Sequence, residues 1–301
     1  MPELPDVTVY VEAIAARVKG QPLLGVRVAS PFVVRTFDPP LGAAAGQRVL
    51  SVERLGKRIV FTLEGGLFLV IHLMIAGRFK WLERGAKIPA KVGLAALDFP
   101  SGTLLLTEVA TKKRASIHLA RSLDEFRRGG IEPLQCSLEQ FEKTLRSENH
   151  TLKRSLTDPR LFSGIGNAYS DEILHRAKLS PAQLTQKLSR EEAQRLFEAT
   201  RAVLIEWTER LREDARDKFP EKVTAFRPEM AVHGKYRRPC PVCGTSVQRI
   251  AYADNETNYC PRCQTGGKLL SDRSLARLLH DDWPRTIEEL EERFPHAKGN
   301  A

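Results

Sequence analysis

The sequence predicts an α+β multidomain protein on three observations: an amphipathic helix at the start, a series of short β-rich runs between residues 24 and 119, and helical periodicity after residue 137 that gives way to four closely spaced cysteines. A chain of 301 residues is long enough for two or more domains. With 42% hydrophobic and 28% charged residues it can bury ordinary cores, which excludes wholesale disorder and collagen-like repeats. No apolar stretch approaches the roughly 20 residues that span a bilayer, and Met1 is followed by Pro, Glu and Asp where a secretory signal would be basic and then apolar. The expectation is a protein of the cytoplasm, at the nucleoid, that makes no membrane contact and works as a monomer.

Asp6 is a candidate N-cap, and Val7, Val11, Ile14 and Val18 recur at helical spacing before Gly20, so a helix is expected over 7–19. Strands are expected over 26–34, 48–54, 58–63, 67–73, 78–82, 94–99 and 103–108, separated by turn signals such as Gly65-Gly66 and Pro100-Ser101-Gly102. That regularity indicates a sandwich or barrel. Helices follow over 138–146, 168–177 and 190–216, the last with a core stripe of Leu196, Thr200, Val203, Leu204, Trp207 and Leu211. Thr286 with Glu289 forms a capping-box signature for a final helix over 287–294. The resulting division is 1–130, 131–231, 232–267 and a C-terminal extension, 268–301.

The net charge of +10 is unevenly placed. Residues 1–130 hold 19 basic and 11 acidic side chains, 131–231 hold 17 of each, and 232–267 hold 5 and 2. Basic blocks of this kind attract polyanions, nucleic acid above all, although a solvated basic face has the same composition.

The most specific motif is Cys240-Pro-Val-Cys243, sixteen residues, then Cys260-Pro-Arg-Cys263. Two such knuckles place four thiolates around one tetrahedral Zn²⁺, with a hairpin's length of chain between them. Two local disulfides are the disfavoured alternative in a reducing compartment. No ligand position is left open, so the zinc is structural. Cys136 stands apart and reads as a buried small hydrophobe.

The arm Met1-Pro2-Glu3-Leu4-Pro5-Asp6 carries a second signal. Removal of methionine before proline exposes a secondary α-amine, and α-amines titrate near 8, so a useful fraction is neutral and nucleophilic at physiological pH. Attack on a sugar aldehyde carbon gives a cationic iminium, an electron sink for elimination, with Glu3 placed to shuttle protons. Pro-Glu near a helix start is also ordinary capping chemistry.

Taken in order, Pro2-Glu3-Leu4-Pro5-Asp6-Val7, Gly56-Lys57-Arg58, His72-Leu73, Gly164-Ile165-Gly166-Asn167-Ala168-Tyr169 and the paired knuckles resemble bacterial formamidopyrimidine-DNA glycosylase and endonuclease VIII, over residues 2 to about 265. The resemblance implies an N-terminal β-sandwich with a leading helix, a helical helix-two-turn-helix DNA-binding domain and a C-terminal zinc-finger β-hairpin. It implies Pro2 as nucleophile, Glu3 as the acid/base that opens the deoxyribose ring, Lys57 holding the lesion strand near Pro2, and His72 and Asn167 gripping phosphates. Taken alone, Lys57 reads as a surface lysine, His72 as a core histidine and Asn167 as a helix N-cap.

The departures fall where the family inserts Met, Arg and Phe into the gap left by a flipped base. Here those positions read Ile75, Lys112 and Arg114, and the arginine five residues before the third cysteine is Asn255. Cationic side chains contact phosphate but do not fill an apolar gap as Phe does. Strand alternation turns Met74 to the face opposite Ile75. The expected activity is bifunctional: removal of a damaged, oxidised base from DNA and cleavage of the abasic site. The rivals are a lyase acting mainly on abasic or single-stranded DNA, and a non-catalytic damaged-DNA-binding protein, for which a processed N-terminal amine has no use.

Overall fold

The computed structural model describes residues 1–293 except 217, 222, 224–226, 253–254 and 271–283. It contains two compact units, Met1–Arg128 with Ile205–Ala225, and Gly129–Leu204 with the chain from Phe226 onward.

The first unit opens with helix α1, Leu4–Val18, three residues earlier than the capping signal at Asp6 suggests. Glu3 is the N-cap; Pro5 is tolerated because first-turn N–H groups lack helical partners, and Asp6 at N3 accepts the Glu3 N–H at 2.9 Å. The helix stops where Gly20 takes φ +82°. Two four-stranded antiparallel sheets follow. One has the order β1 (Gly25–Val28), β6 (Gly93–Phe99), β7 (Gly102–Glu108), β5 (Gly77–Leu82). The other runs β2 (Val49–Leu55), β3 (Arg58–Leu63), β4 (Leu67–His72), β8 (Ser116–Ala120).

Period-two alternation turns Ile59, Phe61, Leu63, Leu69 and Ile71 into the shared core with Leu97, Leu104 and Leu106, where Val7, Tyr10, Ile14 and Val18 of α1 join them. The arrangement is the expected sandwich. The expected strand over 26–34 ends at Val28, because Pro31 opens a 3-10 turn, Pro31–Val33.

The second unit contains α2 (Leu138–Leu145), α3 (Leu152–Thr157), α4 (Asn167–Ala177) and the first part of α5 (Arg190–Ala215). The hairpin β9 (Gln248–Tyr252) and β10 (Asn255–Tyr259), the short α6 (Pro261–Thr265) and the terminal α7 (Ile287–Arg293) complete it. Thr286 Oγ1 caps α7 by accepting the Glu289 N–H at 3.2 Å. Among the described residues no helix is long and apolar enough to cross a membrane.

α4 is held by buried carboxylates. Asp171, with no side-chain exposure, accepts Lys153 Nζ of α3 at 2.5 Å, meets His233 Nδ1 at 2.8 Å and accepts the Asn258 backbone N–H of β10 at 3.2 Å. Its neighbour Glu172 accepts three backbone N–H groups, from Ala231, Val232 and His233 at 2.8–2.9 Å, while burial raises its pKa. Asp171→Ala leaves the Lys153 ammonium buried without its carboxylate, which costs about 3–5 kcal/mol. Urea unfolding of the full chain followed by circular dichroism is expected to show that loss, and an unmoved midpoint would show the carboxylate to be dispensable.

Candidate active site and nucleic-acid interface

The first unit gathers the N-terminal arm, Lys57 and His72. Pro2 and Glu3 are buried at the start of α1. The α-amino group of Met1 has a lowered pKa, chiefly through burial, opposed by Glu3 and reinforced by the positive charges of Arg78 and Lys57. A shift in this direction favours the neutral, nucleophilic form of an amine. Lys57 is at the tip of the two-residue β2–β3 hairpin, where Leu55 pairs with Arg58 and Gly56 supplies the positive φ of +62° that the turn demands. His72 ends β4, paired with Arg58 on one side and Ser116 on the other. Burial, then Arg58 and Lys57, press its pKa down to about 4, so it is neutral at physiological pH and surrounded by cations.

Ile75 and its neighbours form a tight turn. β4 stops at His72, so alternation no longer orients Met74, which instead takes the left-handed φ of +52° while Ile75 stands 52% exposed. The turn closes with Gly77 N–H on Leu73 O at 2.9 Å, and a Cβ at Gly77 would meet that oxygen at 2.3 Å. Arg78 Nη1 donates to Gly77 O at 2.6 Å and Ile75 O at 3.2 Å, so one guanidinium both braces this turn and acts on the N-terminal amine.

The loop after β7 leaves Lys112 and Arg114 exposed, with Val109 77% exposed beside them. Its shape is set by Glu108, a buried carboxylate that accepts the backbone N–H of Arg114 at 2.8 Å and of Ala115 at 3.1 Å. Lys113 turns back onto the Glu108 carbonyl.

In the second unit, the N-cap of α4 is Gly166 and not Asn167. Asn167 is the first helical residue, and its Nδ2 donates to Glu256 O of β10 at 2.8 Å. Asn255 opens β10, and its side chain lies outside the described residues. The sulfurs of Cys240, Cys243, Cys260 and Cys263 all lie within 4.8 Å of one another, with Cys243–Cys260 at 3.4 Å and Cys240–Cys263 at 3.9 Å. A tetrahedron with Zn–S bonds of about 2.3 Å has edges of about 3.8 Å, so the cluster fits zinc. All five cysteines are free of disulfides, and Cys136 is half-buried rather than buried. His175 on α4 places Nε2 3.2 Å from Cys240 Sγ, a contact of the kind that orients metal-ligating sulfurs.

Arg78, Glu108, Asp171 and His175 are the functional candidates that sequence reasoning missed. Only the acidic pair Asp171-Glu172 in an otherwise buried helix gave a signal, because two charges on such a face need partners.

A β-sandwich opened by a buried N-terminal arm, a helical domain and a four-cysteine hairpin define the architecture of the DNA-repair glycosylases that carry a zinc finger. Three family models match in succession: the formamidopyrimidine-DNA glycosylase N-terminal domain over residues 1–120, its H2TH domain over 130–215, and the zinc finger found in FPG and IleRS over 238–266. The formamidopyrimidine-DNA glycosylase of Thermus thermophilus is 36% identical over 276 residues, covering 89% of this chain and all of the relative. The crystal structure of the MutM (Fpg) protein from that organism superposes with a TM-score of 0.74 at 35% identity, over 87% of this chain and 98% of its own. A Lactococcus lactis Fpg variant in complex with DNA containing Fapy-dG gives a TM-score of 0.77 at 25% identity, over 88% of this chain and 100% of its own. The chain belongs to the formamidopyrimidine-DNA glycosylase family.

The hairpin's dependence on metal is directly measurable. Elemental analysis is expected to find one zinc per chain, and Cys260→Ser is expected to lose it, unfold the hairpin and weaken DNA binding while the β-sandwich stays folded. A fully active zinc-free protein would remove the metal from the account.

Proposed function

We propose that the chain is a bifunctional enzyme that removes an oxidised base from DNA and then cleaves the abasic strand, with Pro2 as nucleophile. The observation that carries the reading is the burial of Pro2 and Glu3 at the start of α1, within the electrostatic reach of Arg78 and Lys57. With Met1 removed, the Pro2 nitrogen attacks C1′ of the sugar of a flipped nucleotide as the base departs. Glu3 delivers a proton to the ring oxygen, opening the ring and leaving an iminium. Loss of a C2′ proton then expels the 3′ phosphate, and water releases the enzyme. Lys57 and His72 hold the flanking phosphates, His72 as a neutral hydrogen-bond donor, and Asn167 of the second unit takes a phosphate by exchanging its bond to Glu256. Zinc on the four cysteines is structural, supplying fold stability and no step of the reaction. The working division of the chain is the catalytic 1–130, the DNA-binding 131–231, the zinc finger 232–267 and the extension 268–301. The place of action is the cytoplasmic nucleoid, as a monomer.

Borohydride is expected to trap a covalent protein–DNA adduct on Pro2, absent in Pro2→Gly carrying an N-terminal tag; an adduct mapped to Lys57 by mass spectrometry would falsify the assignment. Glu3→Gln is expected to depress base removal by about 10²–10⁴-fold while affecting cleavage of preformed abasic sites less, since the glycosidic bond is already gone there.

The exposed cations at Lys112 and Arg114 bear on substrate form. Keeping a duplex kinked around an empty base position costs a few kcal/mol of unstacking, which apolar wedges partly offset, and Ile75 is the apolar side chain at these positions. Activity on single-stranded, bubble or abasic DNA is therefore expected to exceed that on a paired 8-oxoguanine duplex, with weak discrimination of the opposite base. Arg114→Phe is expected to shift the ratio toward duplex. Matched kinetics showing strong preference for 8-oxoguanine opposite cytosine, or an unchanged ratio in Arg114→Phe, would sink the idea.

A further inference from the structure

The outer face of the β2–β3–β4–β8 sheet has an unusual charge pattern. Alternation puts Arg58, His72 and His118 on the face opposite the core residues Ile59, Ile71 and Ile117, and cross-strand pairing sets Arg58 beside His72 and His118 beside Val70. Phe126 covers part of this face, its ring edge-to-face with His118 at 5.2 Å between centroids and its carbonyl 3.3 Å from Arg58 Nη1. Alongside β8 runs a further segment: Val34 bridges Ile117 in parallel, Arg35 N–H donates to Ile117 O at 2.9 Å, and Thr36 Oγ1 accepts the Leu119 N–H at 2.8 Å. That register brings Arg35 alongside His118. Burial first, then the charges of Arg58 and Arg35, lower the His118 pKa against the opposing pull of Glu125.

The same segment bears the two most exposed large apolar side chains among the described residues, Phe32 at 81% and Phe37 at 87%. Phe32 projects from the 3-10 turn that packs against β8, the strand entered from the Lys112–Arg114 loop. Phe37 lies at the other end, and its neighbours Thr36 and Asp38 line a hollow with Arg121, Asp124 and Glu125. The two phenylalanines are similarly bare, but carboxylates outnumber cations in the hollow beside Phe37.

We infer that Phe32 and Arg35, continued by His118 and Arg58, form a contact for an unpaired stretch of DNA, Phe32 stacking on a base while the two arginines take the adjoining phosphates and His118 offers a hydrogen bond. A duplex hides the faces of its bases, so a bare aromatic ring beside cations fits a strand whose bases are unstacked. Charge complementarity favours this occupant at Phe32, on the side of Arg35 and Arg58, over Phe37, whose neighbours line a hollow where Asp38, Asp124 and Glu125 face Arg121 alone. The contact also returns an aromatic ring to the neighbourhood of a loop that has Arg114 where relatives place phenylalanine. The inference rests on the proposed function only in taking DNA as the partner.

The test is equilibrium binding by fluorescence anisotropy, with the full zinc-loaded protein and a labelled, undamaged 15-nucleotide single strand beside its duplex. Because no bond is broken, the result stands whether or not a Pro2 adduct is trapped. Phe32→Ala and Arg35→Glu are expected to weaken single-strand binding by about five-fold or more, the scale of one base–aromatic stack, with a smaller effect on duplex. Phe32→Trp is expected to keep the affinity and to show indole quenching by the single strand and not by the duplex. Phe37→Ala is expected to bind as the parent does. The inference is overturned if Phe32→Ala binds normally, if Phe37→Ala loses as much, or if sedimentation shows a dimer that Phe32→Ala dissociates, since a second copy would then be the occupant.

Discussion

The hydrogen bond from the Glu3 N–H to the Asp6 carboxylate is the contact on which the catalytic unit turns. The first residues of a chain ordinarily sit on a fraying end, where conformational freedom opposes any fixed geometry. Here the first helical turn begins directly after Glu3, and Val7, Tyr10, Ile14 and Val18 lock α1 into the sandwich core with no exposed side-chain surface. The terminal amine inherits the rigidity of that core. Its surroundings follow from the same constraint, since Lys57 on the β2–β3 hairpin and Arg78 at the start of β5 approach from elements that share the core. Preorganisation of this kind is what the proposed role of Pro2 requires, since an amine already fixed needs no fresh orientation at each turnover.

The sandwich was legible because two-residue periodicity and glycine-bearing turns are local signals. The strands expected over 58–63, 94–99 and 103–108 match β3, β6 and β7 to within a residue. β8 was not separately legible: its five residues follow the polar 111–114 run, and the turn signals that bracket the other strands are missing there. α1 began early because Asp6 closes back on Glu3 from the N3 position, and sequence alone does not distinguish an N-cap aspartate from an N3 aspartate. The cysteines were legible because metal ligation imposes a spacing. Glu108, Asp171 and His175 were not, because what they do depends on partners between 6 and 87 residues away. The resemblance drew attention to Arg114 as a departure, whereas the carboxylate of Glu108 that fixes its backbone became visible only in three dimensions.

The charge asymmetry read from the sequence acquires a location. Two of the 19 basic side chains of the first 130 residues, Lys57 and Arg58, stand at one hairpin tip beside His72 and on the sheet face that carries His118. Burial first, and then the nearby charges of Arg58 and Lys57, make charging His72 costly, and its low pKa follows. A polyanion laid along this face would offset the repulsion between the two fixed charges.

The metal reaches further than the hairpin it folds. On α4, Asn167, Asp171 and His175 recur every fourth residue and so form one stripe, and each meets the zinc-finger segment: Glu256 O, Asn258 N–H and Cys240 Sγ respectively. Glu172, one position round, takes the three backbone N–H groups of residues 231–233 that lead into the first knuckle. The free energy of binding zinc is folding free energy for the knuckles, and these contacts extend it to the helix whose first residue is Asn167. Helix and hairpin therefore form one cooperative element. A metal held by the four cysteines therefore governs where Asn167 stands, because the stripe on α4 is the link between them.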